Sequence, residues 1–253
     1  MAILTSFDNE SKAMISAEDV VTPCEVQLDT CIIMWQNKIS QELLELDLVE
    51  EVTKIRSGNG LKSIYRVKGT EIAVYESPIG APMTVGMLEN VHAALGIKNV
   101  VAFGICGVLT DIEEGKCIIP TAAYRDEGTS YHYCPAEDYI SINNCDKLAV
   151  LFDELNVGYL KGKTWTTDAM YRETMGNRDK RVTEGCIAVD MECSALQAVC
   201  NFRGMELYQF FYGADSLNGS KWNARILGNY ELSKRMKFFY LALELAKRIN
   251  ERK

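Results

Sequence analysis

The sequence predicts an α/β fold, a three-layer arrangement with a mostly parallel or mixed sheet between helices. Three observations carry that expectation. Short β-branched and apolar runs alternate with longer segments of helical periodicity. Several of the apolar runs end in glycines or acids, as strand ends facing a ligand crevice do. No linker-like stretch and no internal repeat divides the 253 residues, so one domain over 1–253 is expected, with 1–30 unassigned.

Residues 39–53, ISQELLELDLVEEVT, set apolar positions at helical spacing with acids between them and predict a surface helix. Residues 57–82 read as a hairpin, with turn signals at Gly58-Asn59-Gly60 and Lys68-Gly69. A helix is expected over 83–95, ended by Gly96. NVVAFGICG (99–107) has the profile of a buried parallel strand, and 116–124 is another. A helix over 147–155, a strand end over 185–191, a helix over 191–203 and a strand over 205–212 follow. The segment 229–252 is a long amphipathic helix.

The bulk composition narrows the function classes. At 47% hydrophobic and 25% charged the chain is an ordinary globular one. A formal net charge of −8 disfavours a nucleic-acid or anionic-membrane surface. Nine cysteines, an odd number without a CxxC pair, sit mostly in apolar runs and read as buried thiols in a reducing compartment. The first 20 residues lack a basic and then apolar leader, and no apolar stretch reaches membrane-span length. A cytoplasmic location is therefore expected. Two histidines without metal-ligand spacing give no basis for a zinc site. GxxxxGK[ST], GxGxxG and GxSxG are all absent, so no cofactor is expected.

The remaining chemistry lies at strand ends. FGICG, AVDME and FYGADS converge on glycines, the acids Asp190 and Glu192, and a further acid, Asp215. Local sequence alone makes Asp190 a helix N-cap and Glu192 an acid in a first helical turn. By the same reasoning Asp215 suits a turn ahead of Asn218-Gly219. Asp168, Arg172-Glu173 and Arg125-Asp126-Glu127 read as solvated loop charges. His132 reads as a packed residue of a tyrosine-rich loop.

AVDMECSALQAV (188–199) followed by GADSL, together with WTTDAMYRET (165–174), AYRDEGTSYHY (123–133) and FGICGVL (103–109), resembles the nucleoside phosphorylase and nucleosidase superfamily. The resemblance is closest to its uridine-phosphorylase-like branch and covers roughly residues 60–250. It implies a mixed, partly barrel-like sheet flanked by helices, cleavage of a nucleoside N-glycosidic bond, and a homo-oligomer, dimer or hexamer. It also implies roles. Glu192 would hold the ribose hydroxyls beside an oxocarbenium-like sugar, with Met191 packed on the sugar. Asp215 would give a proton to the leaving base. Cys106 and Gly107 would line the base, with Met170 below it and Thr167 nearby.

The phosphate half of the pattern departs. The superfamily's RxG[ST] strand end reads Ala102-Phe103-Gly104-Ile105, losing both the charge and the hydroxyl. The early Gly-Asp-Pro loop reads CIIMWQNKIS (31–40), with Lys38 as its one cation. A neighbouring subunit's arginine would fall near Gly58, where Arg56 is close but unmatched. Phosphate would then rest on Gly104, Ile105 and Arg56, with Lys38, Arg125 or Arg172 as other cations. The uracil-reading Gln-x-Arg pair is absent from 170–180, where Thr174 and Gly176 stand, and no histidine lies near the N-terminus. Three readings follow: a phosphorylase, towards which the superfamily inclines; a hydrolytic nucleosidase; and a non-catalytic nucleoside-binding relative. Asp215 points to a purine and the branch to a pyrimidine, leaving the base open.

Overall fold

The computed structural model describes residues 3–57 and 60–252. Its strands are β1 (Thr30–Met34), β2 (Val49–Ser57), β3 (Gly60–Val67), β4 (Ile72–Glu76), β5 (Asn99–Val108), β6 (Cys117–Asp126), β7 (Tyr139–Ser141), β8 (Tyr159–Thr167), β9 (Cys186–Asp190) and β10 (Glu206–Ser216). Its helices are α1 (Asn37–Glu45), α2 (Ala81–Leu95), α3 (Cys145–Glu154), α4 (Met175–Thr183), α5 (Cys193–Arg203) and α6 (Leu232–Glu251).

Among the described residues the strands form one sheet in the order β10-β6-β8-β9-β5-β1-β4-β3-β2, with β7 on β6. β10 also pairs with β5, which closes β10, β6, β8, β9 and β5 into a ring. The barrel-like closure and the mixed strand directions are those that the resemblance implied. β1–β4, β1–β5, β5–β10, β6–β8 and β8–β9 are parallel, while β2–β3, β3–β4 and β5–β9 are antiparallel. Side chains of α1, α3 and α6 pack on one face and those of α2 and α5 on the other. Cys106, Ile118, Ala188 and Phe211 form a further cluster from the ring strands.

The strand at 99–107 and the helix before it appear as expected. Gly96 takes φ 73° after the last turn of α2, the left-handed conformation that a C-terminal glycine supplies without strain. The helix expected over 39–53 is corrected. α1 stops at Glu45, Asp47 takes φ 55°, and Val49–Ser57 is a strand. A bulge between Glu51 and Thr53 shifts the alternation, so Val49, Val52 and Ile55 recur at intervals of three and imitate a helix. Pairing with β3 overrides the local pattern.

The hairpin read over 57–82 is a three-stranded meander instead. Gly60 and Gly69 take positive φ at its turns, and Gly58-Asn59 lies outside the described residues. β1, β8 and α4 were not expected. β8 reads YLKGKTWTT, whose lysines and glycine hide a strand held by β6 and β9 on either side. Within the unassigned N-terminal stretch, the backbone amides of Cys24 and Leu28 donate to the carbonyls of Ala94 and Leu95, which packs the chain against the end of α2. No described helix is long and apolar enough to cross a membrane.

Candidate active site

The carboxyl ends of β1, β5, β9 and β10 open on one cavity of about 660 Å³, within the range of small-molecule sites. Its walls include Gly104, Ile105, Cys106, Gly107, Met170, Met191, Glu192 and Asp215, so eight of the ten expected site residues come together there. Thr167 does not line it; that side chain is buried, and its hydroxyl accepts the Ala169 amide N–H at 3.2 Å. Arg56 does not line it either; its exposed side chain lies on β2, and its carbonyl accepts Asn90 Nδ2 at 3.1 Å.

Two strand features shape the floor. β5 is buried at every position except Ile105, a large apolar side chain left 41% exposed at the cavity. A side chain at Gly107 would have to displace its neighbours. A Cβ there would stand 2.7 Å from Leu217 Cδ1, 2.9 Å from Val189 Cγ1 and 3.5 Å from Asp215 Oδ1. Asp215 faces Gly107 across the parallel β5–β10 pairing, just past a register shift that turns it inward. The Trp222 indole N–H donates to Asp215 Oδ2 at 2.7 Å.

The acid pair at β9 divides its labour. Asp190 caps α5: Oδ2 accepts the Cys193 amide N–H at 2.9 Å, and Oδ1 accepts the Thr166 hydroxyl at 2.7 Å. Glu192 occupies the N-cap position, but its side chain does not cap the helix. It reaches across to α2, where Oε1 accepts the Gly80 amide N–H at 2.7 Å. Burial pushes Asp190 up to about 7. Burial, then the Asp190 charge, pushes Glu192 up to about 8 against the pull of the Gly80 N–H. Both shifts run towards the neutral carboxyl, the form that burial favours. Burial, with Asp190 and Asp215 nearby, likewise keeps the Cys106 thiol neutral.

The loop charges were not all solvated. Glu173 lines the cavity, and burial followed by the Asp215 charge pushes it up to about 7. Arg125 and Glu127 are buried. The Arg125 guanidinium lies 4.1 Å from the Tyr131 ring centroid and donates to Ser130 Oγ at 2.9 Å. Glu127 accepts the Ser194 hydroxyl at 2.8 Å. His132 is exposed rather than packed. Sequence reasoning also missed Trp35, Gln36, Ile79, Tyr171 and Trp222 in the cavity wall. Glu173 stood within the motif already singled out; Trp35 and Gln36 were hidden because β1 was not read as a strand.

The family model described as the phosphorylase superfamily matches residues 37–249. The chain belongs to this superfamily. Similar relatives include DeoD-type purine nucleoside phosphorylases of Bacillus cereus, 28% identical over 58% of this chain, and Shewanella oneidensis, 28% identical over 61%. The match spans about two thirds of those relatives' own length, 65% and 66%. The fold is shared with a Toxoplasma gondii purine nucleoside phosphorylase solved with immucillin-H, at TM-score 0.75 and 19% identity over 92% of this chain and 98% of that one. It is shared also with a Bacteroides thetaiotaomicron AMP nucleosidase, at TM-score 0.68 and 18% identity over 90% and 91% of the two chains.

Against that superfamily the nucleophile side stands out. Among the described residues that line the cavity none is Lys, Arg or His, whereas Glu173, Asp190, Glu192 and Asp215 are all carboxylic. Lys38, Arg125 and Arg172 are absent from its walls along with Arg56.

Proposed function

We propose that this protein cleaves the N-glycosidic bond of a neutral nucleoside and that water, rather than phosphate, is the nucleophile. The observation that carries the reading is the cation-free wall. A phosphate dianion placed there would meet several carboxyl groups, with no cation among the described lining residues to offset its charge and desolvation. The same argument disfavours nucleotides as substrates. Water carries no such penalty.

In this reading the carboxyl of Glu192 holds the ribose 2′ and 3′ hydroxyls, and Met191 packs on the sugar. Fixing the sugar lowers the entropic part of the barrier, and the positive charge of the oxocarbenium-like transition state draws the neighbouring acids towards their ionised form. Asp215 gives its proton to the base as the C1′–N bond breaks with its electron pair on the base. Cys106, Gly107 and Met170 line the base. The nine thiols, free in the structure, suit a reducing cytoplasm.

Phosphorolysis is the second reading, favoured by the phosphorylase names of the relatives. It would need Gly104 and Ile105 to hold phosphate with Arg56 lent by a neighbouring copy of a homo-oligomer, for which the exposed position of Arg56 on β2 leaves room. The test is a panel of adenosine, inosine, guanosine, uridine, thymidine and methylthioadenosine, with and without phosphate, with base and sugar products separated. Free ribose without phosphate supports hydrolysis. A phosphate requirement with ribose 1-phosphate as product would replace water by phosphate. Binding without base release from any substrate would turn the reading to a non-catalytic relative.

A further inference from the structure

The two oxygens of the Asp215 carboxyl have different neighbours. Oδ1 is the one nearer Gly107, 3.5 Å from where a Cβ on that glycine would stand. Oδ2 accepts the Trp222 indole N–H at 2.7 Å, and Trp222, Asp215 and Gly107 all line the cavity. An indole nitrogen donates and does not accept. The oxygen that faces it must therefore be the acceptor of the carboxyl. When Asp215 carries a proton, that proton sits on Oδ1, on the side of the floor assigned to the base.

Local structure keeps Trp222 within reach by closing the loop 217–222. Ser216 and Asn223 exchange backbone hydrogen bonds of 2.8 and 2.9 Å across its base. The Leu217 amide N–H donates to the Val108 carbonyl at 2.9 Å and fastens the loop to β5. From α4, Arg178 donates to the carbonyls of Leu217 and Gly219, the latter at 3.0 Å. Trp222 itself is 61% exposed. What the anchored loop presents is thus an N–H at a fixed point more than a piece of core.

We infer that Trp222 is the positioning residue of the acid, an assignment that rests on proton donation by Asp215 and holds whether water or phosphate attacks. As the C1′–N bond breaks with its electron pair on the base, the proton passes from Asp215 Oδ1 to a base nitrogen. The electron pair of the O–H bond stays behind, and the carboxyl becomes a carboxylate. The indole N–H on Oδ2 then serves a developing charge, and a hydrogen bond to an ionised acceptor is about twice as strong as one to a neutral acceptor. Trp222 therefore favours the transition state over the ground state as well as fixing which oxygen holds the proton.

The test compares wild type, Trp222→Phe, Trp222→Ala and Asp215→Asn. Each is assayed on p-nitrophenyl riboside and on the purine nucleoside that wild type cleaves best, with melting temperature alongside. Trp222→Phe keeps an aromatic ring and loses the N–H. It is expected to lower kcat on the purine nucleoside by about 10- to 100-fold, with KM within about threefold and the melting temperature unchanged. p-Nitrophenyl riboside, whose leaving group needs no proton, should keep its kcat. A ring that only walls the cavity predicts the reverse, with Trp222→Phe silent and Trp222→Ala raising KM for both substrates. In the Asp215→Asn background Trp222→Phe should cost nothing further, because the indole then serves no acid. Purine kcat retained in Trp222→Phe, an equal fall on p-nitrophenyl riboside, or a full further loss in the Asp215→Asn background overturns the positioning role and leaves Asp215 as the acid. Equal losses on both substrates in Asp215→Asn, or a wild type inert towards purine nucleosides, overturn the acid reading first, and the role of Trp222 with it.

Discussion

The amide N–H of Gly80 donates to Glu192 Oε1 at 2.7 Å, joining the start of α2 to the start of α5 across the cavity wall. Glu192 is therefore held by a loop it does not cap, and its helix is capped by Asp190 instead. Glu192→Ala is expected to lower turnover by about 100-fold or more with little change in melting temperature. A large loss of stability with turnover intact would return Glu192 to a structural role. Calorimetry beside a base-release assay reads both.

Stability should fall as pH rises through neutrality. Glu173 and Glu192 ordinarily titrate near 4.5 and Asp190 near 3.8, yet in the fold they are pushed up to about 7, 8 and 7. Between roughly pH 5 and 8 the folded protein thus binds more protons than the unfolded chain, so the free energy of unfolding decreases with pH. The melting temperature of the free protein is expected to be higher at pH 5.5 than at pH 8. Glu192→Gln should flatten that slope, since it removes the most strongly raised group. A melting temperature that rises over this interval would contradict the burial of the three carboxyls.

Asp215 offers a sharper chemical test. Asp215→Asn removes the proton that the leaving base needs, so purine nucleosides should lose about 100-fold or more in kcat. Ribosides with good leaving groups, such as p-nitrophenyl riboside, should lose far less. Equal losses for both substrates would take Asp215 out of the acid role and leave it as the partner of the Trp222 indole.

Gly107→Ala tests the shape of the floor. The new methyl would stand 2.7 Å from Leu217 Cδ1 and 2.9 Å from Val189 Cγ1, closer than either side chain can tolerate without moving. Overpacking of this kind costs about 1–3 kcal/mol. Thermal denaturation should register that loss, and nucleoside affinity should fall with it because Leu217 also lines the cavity. A stable variant with unchanged affinity would mean that the base does not lie over Gly107.

Much of this was legible in the residues. NVVAFGICG, with its unbroken apolar run and terminal glycine, announced β5 because a strand buried on both faces has no polar positions to alternate. The motif order around Met191, Glu192 and Asp215 pointed to the cavity, since strand ends cluster wherever parallel strands share a sheet. Val49–Ser57 was misread because its bulge breaks the period of two on which strand reading depends. β8 was missed because Lys161, Gly162 and Lys163 carry no strand signal, and the strand is held in place by its neighbours.

The sequence by itself determined the alternation of strands and helices, the charge class, and the acids and glycines at the strand ends. These are local or additive properties, carried by residue type and spacing. Only the tertiary structure decided that Glu192, by local sequence an acid in a first helical turn, reaches across to the Gly80 amide instead, and that Glu173 shares the cavity with Asp215. It alone left the cavity wall without a Lys, Arg or His among the described residues. Burial and proximity arise from pairings between distant segments, β1 with β5 and β5 with β10, and it is those pairings that give each carboxyl and amide its environment.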